Sequence, residues 1–288
     1  MFEGKTIGFI GSGVMGGAMI AGLVKSQIIA PQSILAADPH LPRLRQLEAD
    51  LGIRITPDNR EVAAKSDILV ISTKPQVIDE ILPEPEAGHC DLVISIAAGI
   101  SIDHLRRVTG NPRIVRSMPN TPAVIGQGIT GWTATDAVDE QHRQIARTIL
   151  GSLGEEVFIP KESMMDAVTA LSGTGPGYVF MFMEAMIDAG VHLGFSRDVA
   201  EKLVHHTMRG SIEYAMVSKK HPAMLRNEVT SPGGTTAEAM YHLEKGGLRT
   251  VIARGIWAAY QRSTALGGGK KVSEALSGRN PDEMDNGR

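Results

Sequence analysis

The stretch KTIGFIGSGVMGGAMIAGLVK, residues 5–25, decides the fold. Residues 5–10 are a short apolar run with β-branched content, the pattern of a buried strand. Gly11-x-Gly13-x-x-Gly16 follows at once, and a helical pattern then continues to Lys25. Glycines at this spacing have separate tasks: Gly11 allows the tight turn, Gly13 lets backbone approach a pyrophosphate, and Gly16 lets the helix lie close to the sheet. The helix N-terminus adds unpaired N–H groups and the positive end of its dipole. A Gly-rich strand–helix turn without a ligand would look the same in isolation, so the flanking pattern has to decide.

That pattern alternates. SILAADP, IRIT, DILVIST, DLVISIAAG and PRIVRSM read as further strands, with a polar helix (LPRLRQLEADLG) after the second, and GITGWTA and EEVFIP read as added edge strands. Short apolar runs alternating with helical segments imply a parallel sheet with helices on both faces, which favours a dinucleotide in the glycine loop. Past Pro160 the character changes. Residues 163–172, 178–194, 197–219, 222–229, 236–246 and 248–266 all read as helices. YVFMFMEAMIDAGVHLG, residues 178–194, is apolar almost all round and is expected to be buried on every side. A small helical domain cannot hide that much apolar helix alone, so a second copy is expected to cover part of it. The organisation read from this is α/β: an N-terminal Rossmann-type dinucleotide-binding domain, 1–160, then an all-α dimerisation and substrate domain, 161–267, then a polar tail, 268–288.

Composition excludes several classes. The chain has 288 residues, 42% of them hydrophobic, and a net charge of -3, which argues against nucleic-acid binding. A single cysteine, Cys90, rules out an internal disulfide and suits a reducing compartment. Cys90 is expected to be a small apolar filler rather than a nucleophile. There is no signal-peptide pattern and no apolar run of ~20 residues, so the protein is expected to be cytoplasmic, without membrane contact. No histidines stand at metal-ligand spacing, so no metal is expected.

Asp38 ends the second strand, where a carboxylate can accept from the adenosine ribose hydroxyls of NAD. It could instead cap the next helix or form a turn with Pro39. His40, Arg43 and Arg45 follow and could hold a 2′-phosphate, leaving NADPH and NADH both open. Beyond other strand ends lie Thr73, Lys74 and Pro75, and then Ala97, Ala98 and Gly99, whose small size would let a flat ring lie against backbone. Lys74 reads either as a catalytic acid or as a surface charge beside a turn proline.

A second motif, NEVTSPGGTTAEAM, occupies residues 227–240. Thr235-x-x-Glu238 is a capping-box pattern, so Thr235 is expected to cap a helix. Gly233 and Gly234 ahead of it let several N–H groups converge into a nest suited to a carboxylate. Thr236 points away from the cap and is free to meet a substrate, and Ser231 offers a hydroxyl across the turn. SGTGPGY (172–178) and RSMPNTP (116–122) read as further rigid loops, explicable by turn chemistry alone.

From roughly Lys5 to Leu266 the chain resembles the pyrroline-5-carboxylate reductase family. The resemblance is carried by GFIGSGVMGGAM, TPDNREV, STKP, SIAAGI, RSMPNTP, ALSGTGPGYVFMFMEAMIDAG and, most specifically, LRNEVTSPGGTTAEAMYHLE. It implies reduction of 1-pyrroline-5-carboxylate to L-proline by NADPH or NADH, and homodimers that often assemble further. It implies that Gly11, Ser12, Gly13, Val14 and Met15 hold the pyrophosphate and that Asn59 contacts the adenosine side. It further implies that Thr73, Lys74, Pro75, Ala97, Ala98 and Gly99 line the ribose–nicotinamide path. Ser231, Gly233, Gly234 and Thr235 would receive the substrate carboxylate, and Thr236 would hydrogen-bond the ring nitrogen. The chain departs from common members at Asp38, where many have a small polar residue suited to NADPH, and at Gly177, commonly Ala. Two rival readings are a 3-hydroxy-acid dehydrogenase and a non-enzymatic NADP-sensing module. The first needs a lysine early in the helix after the central Gly-rich segment, and GPGYVFMFMEAM has none.

Overall fold

A computed structural model of the chain describes residues 1–81, 87 and 89–266. The expected polar tail, 268–288, lies outside the described residues. The described residues divide into two compact units: Met1–Gly175 with residues 258–266, and Pro176–Trp257.

The first unit is built on strands β1 (Ile7–Ile10), β2 (Ile34–Ala37), β3 (Arg54–Thr56), β4 (Ile68–Ile71), β5 (Leu92–Ser95), β6 (Ile114–Met118), β7 (Gly128–Ala134) and β8 (Gly154–Phe158). They form one sheet in the order β3-β2-β1-β4-β5-β6-β7-β8. Its helices are α1 (Val14–Lys25), α2 (Leu41–Leu51), α3 (Asn59–Lys65), α4 (Ile102–Thr109), α5 (Glu140–Gly151) and α6 (Met165–Val168). β1, β2, β4 and β5 are buried along their whole length, which is why they read as unbroken apolar runs. Ile7, Phe9, Met19, Ile20 and Leu23 anchor one apolar layer, and Ile10, Leu69, Val93 and Ile114 the other.

Pairing is parallel from β3 through β6 and between β7 and β8. β6 and β7 run antiparallel, a direction the reading of GITGWTA and EEVFIP as added edge strands left open. The cause is the connection: a 3₁₀ turn, Thr121–Ile125, takes the place of a crossover helix. A short link returns the chain beside the strand it left, in the opposite sense. The first unit also runs past Pro160, because residues there pack on the sheet. Arg116 on β6 pairs with Glu162 at 2.9 Å and Asp166 at 3.4 Å, and Ser263 donates to Asp166 at 2.8 Å.

Cys90 is fully buried, its thiol aimed at the Ser66 carbonyl oxygen. Burial, with Asp67 and Asp91 nearby, pushes its pKa up to about 11. The thiolate is the reactive form, so at neutral pH the native chain is expected to resist a thiol reagent such as Ellman's and to react only on denaturation. Rapid labelling of the native protein would contradict this.

The second unit contains most of α7 (Gly175–His192), then α8 (Arg197–Ser218), α9 (Pro222–Glu228), α10 (Thr235–Lys245) and the start of α11 (Leu248–Leu266). α7 and α8 share a small core of Ile187, Ala200 and Val204, flanked by Met183, Met186 and Met208. Gly190 brings the helices close; a Cβ there would lie 3.1 Å from that of Ala200. Arg226 and Arg249 both pair with Glu244, linking α9, α10 and α11. All-round burial of α7 is not found within one chain. Only Pro176 and Ile187 of that helix are buried, while Phe180 and Met181 are 58% and 73% exposed. Five helices supply too little chain to cover so much apolar surface, and exposed apolar area of this extent marks an association face.

Candidate active site

In the first unit the strand order reverses between β1 and β4, the place where open α/β sheets form a ligand crevice. The glycine loop sits there, tied on both sides. The Gly11 N–H donates to the Ala37 carbonyl at 2.8 Å, and the Ser72 hydroxyl donates to the Gly11 carbonyl at 2.5 Å. Gly11 has φ +93°, and a Cβ on it would lie 2.8 Å from the Ser72 carbonyl oxygen. A Cβ on Gly16 would lie 2.6 Å from the Gly11 carbonyl oxygen, whereas one on Gly13 would meet nothing within 4 Å. Two glycines are therefore required by the chain's own packing, and the third keeps a face open.

That face belongs to a cleft of about 560 Å³. Gly11, Gly13, Asp38, Asn59, Thr73 and Lys74 line it, together with His40 and Arg43. Ser12, Val14, Met15, Pro75, Ala97, Ala98 and Gly99 are not among its lining residues. Arg45 is not either, because two steps along a helix turn a side chain about 200° from Arg43. The Ser12 and Thr73 hydroxyl oxygens are buried without a hydrogen-bond partner. Buried hydroxyls are normally paired, so two orphans beside an open glycine loop fit a polar ligand such as a pyrophosphate.

Asp38 does not cap α2. The His40 imidazole does, its Nδ1 accepting the Arg43 N–H at 3.2 Å. Asp38 instead makes the turn with Pro39, its Oδ1 accepting the His40 N–H at 2.8 Å. Sequence reasoning noted Ser72 only as the start of the STKP strand end and gave no role to its hydroxyl, which clamps the loop, and it did not reach Ile81, whose carbonyl accepts from the Asn59 amide at 3.0 Å.

In the second unit, residues 231–236 form a tight turn into α10. The Gly234 N–H donates to the Ser231 carbonyl at 3.0 Å, and Gly233 has φ +69°. Gly234 is extended, at φ −79° and ψ 165°, and its carbonyl accepts the Glu238 N–H at 3.2 Å. Gly234 is therefore the N-cap and Thr235 the first helical residue, with no side-chain cap, which corrects the expected Thr235 capping box. The left-handed Gly233 completes the turn one residue early and places Gly234 where the helix starts. The N–H groups of Thr235, Thr236 and Ala237 then have no acceptor within the helix. A Cβ on Gly234 would lie 2.4 Å from the Ser231 hydroxyl oxygen, so glycine there keeps the turn compact. Thr236 is half-buried, whereas Ser231 and Thr235 are exposed. The SGTGPGY segment begins in a π-helical turn, Thr169–Gly173, and its Ser172 hydroxyl is buried without a partner.

A glycine loop at the switch point of a doubly wound sheet, with a helical unit beside it in sequence, defines a nicotinamide-dependent oxidoreductase. Residues 162–266 match the family described as pyrroline-5-carboxylate reductase dimerisation, and residues 6–99 match NADP oxidoreductase coenzyme F420-dependent. A pyrroline-5-carboxylate reductase of Synechocystis is 40% identical over 262 residues, 91% of this chain and 98% of that one. One from Methanosarcina acetivorans is 38% identical over 268 residues, 92% and 99% of the two chains. The crystal structure of the Plasmodium falciparum pyrroline carboxylate reductase with NADP bound superposes with a TM-score of 0.83 at 33% identity, covering 92% and 99%. The chain belongs to the pyrroline-5-carboxylate reductase family and is an NAD(P)H-dependent oxidoreductase. The hydroxy-acid dehydrogenase and sensing-module readings are thereby set aside. Its dimerisation domain implies a homo-oligomer. Among the described residues no helix is long and apolar enough to cross a membrane.

Proposed function

We propose that the protein reduces 1-pyrroline-5-carboxylate to L-proline with NADPH, acting as a homodimer or an assembly of homodimers. The observation that carries this reading is the Ser231–Thr236 turn, whose left-handed glycine opens a helix with free N–H groups behind it. A helix N-terminus of this form suits a compact carboxylate. Ser231, Gly233, Gly234 and Thr235 hold the substrate carboxylate in this reading, and Thr236 hydrogen-bonds the ring nitrogen. In the first unit, Gly11, Ser12, Gly13, Val14 and Met15 hold the pyrophosphate, and Asn59 the adenosine side. Thr73, Lys74, Pro75, Ala97, Ala98 and Gly99 flank the ribose and nicotinamide.

The bound cofactor supplies a hydride to the imine carbon. The ring nitrogen takes a proton in the same reduction, and a cyclic imine is basic enough to acquire it from solvent. No strong acid side chain is needed, so positioning provides most of the rate. The carboxylate grip fixes the ring, and the Thr236 hydroxyl fixes the direction of its nitrogen.

The test is the loss of NADPH absorbance with pyrroline-5-carboxylate, repeated with NADH and, oxidatively, with 3-hydroxyisobutyrate. Turnover of the imine supports the reading; turnover of the hydroxy acid alone overturns it. Thr236→Ala is expected to lower kcat/KM by about 1–3 kcal/mol, the range for a hydrogen bond to a charged group. Thr236→Ser, which keeps the hydroxyl, should recover much of the loss. Unchanged kinetics in the alanine variant would remove Thr236 from the mechanism.

A further inference from the structure

We propose that Asp38 positions the glycine-rich loop and is not an acceptor for the ribose hydroxyls, so that discrimination at the adenosine 2′-position falls to Arg43. This rests on the reading of the cleft as a dinucleotide site. An acidic residue at the end of the second strand ordinarily argues for NADH, because it accepts from the ribose and repels a 2′-phosphate. Here the carboxylate is otherwise engaged. Asp38 is only 7% exposed. Its Oδ2 accepts the Ser12 N–H at 2.8 Å, and its Oδ1 accepts the His40 N–H at 2.8 Å.

The first of these bonds crosses from the second strand to the glycine loop. With the Gly11 bond to Ala37 and the Ser72 clamp on Gly11, it makes a third tie on the same short segment. A charged acceptor on a loop N–H is among the stronger hydrogen bonds available to a side chain. Removing it frees the loop that either cofactor must use, so its loss acts on NADPH and NADH alike.

Arg43 answers the charge. Its guanidinium Nη1 lies 3.7 Å from Asp38 Oδ2, close enough to offset the carboxylate but too long for a hydrogen bond. The Arg43 side chain is 45% exposed, on a residue that lines the cleft, so the donors of its fork remain available to an incoming phosphate. His40 lines the same wall. With Nδ1 engaged by the Arg43 N–H, a neutral His40 ring carries its proton on Nε2 and adds one more donor. A buried, internally bonded acid and a half-exposed guanidinium that offsets it without a hydrogen bond together describe a wall that tolerates, and grips, a 2′-phosphate.

The experiment measures dissociation constants of NADPH and NADH by isothermal titration calorimetry on the full chain. It compares the unaltered protein with Arg43→Ala, Asp38→Ala and Asp38→Asn, with thermal melts alongside. The unaltered protein is expected to bind NADPH more tightly. Arg43→Ala should weaken NADPH about 10- to 100-fold and leave NADH within about threefold, as for loss of a charge-assisted contact to one group. Asp38→Ala should weaken both cofactors by a similar factor, leaving their ratio within about threefold. Asp38→Asn keeps the shape but turns one acceptor into a donor, and should show the same even loss if the alanine variant fails to fold. An Asp38 variant that weakens NADH alone, or tightens NADPH, would restore the ribose role and overturn the proposal. An unaltered protein that binds neither cofactor would overturn the dinucleotide reading itself.

Discussion

Replacing Gly11 with alanine is expected to destabilise the protein by about 2–5 kcal/mol and to abolish measurable cofactor binding. Two costs combine. At φ +93° an L-residue is strained by about 1–2 kcal/mol. Its Cβ would also lie 2.8 Å and 2.9 Å from the Ser72 carbonyl oxygen and carbon, and backbone cannot turn aside as a side chain can. Overpacking of that kind costs about 1–3 kcal/mol. Relief requires β1 and β4 to part at their carboxyl ends, where the cleft lies. Gly13→Ala is the control, since its Cβ meets no protein atom within 4 Å. It should fold with nearly unchanged stability and still bind the cofactor poorly, because the methyl occupies space beside the loop. Urea unfolding at a fixed protein concentration, paired with calorimetric titration of NADPH, separates the two. Equal unfolding midpoints for the two variants would show that the clash at Gly11 is not felt.

The second large effect is expected at Arg116. This side chain is buried at 6% exposure and pairs with Glu162 and Asp166. Glu162 also accepts the Ile102 N–H at the start of α4, at 2.7 Å, and Asp166 accepts from Ser263. Arg116→Ala removes the only cation named in this group and leaves two carboxylates facing each other across the gap. Breaking a buried pair costs about 3–5 kcal/mol. The Glu162 and Asp166 side chains are 34% and 21% exposed, so water recovers part of that, and about 2–4 kcal/mol is expected. Ser263→Ala should cost far less, about 0.5–1.5 kcal/mol, because it removes one hydrogen bond and strands no charge. Chemical denaturation of the two variants tests the contrast; similar midpoints would show that Arg116 does not organise the group.

The doubly wound core was legible because buried parallel strands must be apolar on both faces. IGFI, ILVI and LVIS could hardly be anything else, and their lengths separated them from helices. The roles of Gly11 and Gly16 were legible too, since backbone atoms at under 3 Å leave no room for a side chain. The direction of β7 was not, because it depends on a 3₁₀ link whose residues carry no periodicity. The start of α10 was misread for a different reason. Thr-x-x-Glu satisfies the capping pattern, but the helix begins where the preceding turn ends, and the left-handed Gly233 ends it at Gly234. The partners of Asp38 were hidden because Ser12 is 26 residues away, and only the folded sheet makes them neighbours. The exposure of α7 within one chain agrees with the expectation that a second copy covers part of it; an apolar sequence states how much surface must be covered, and the length of the unit shows that one chain is too small to do it.

The chain leaves the first unit after Gly175 and re-enters it at Ala258, inside the continuous helix α11. The helical unit is thus an insertion with two seams rather than an appendage with one. Exchanging the helical unit alone would need two joins, the second within unbroken helical register. An exchange made after Gly175 would replace Ser263 while keeping Asp166, so the hydrogen bond between them is what that seam puts at risk.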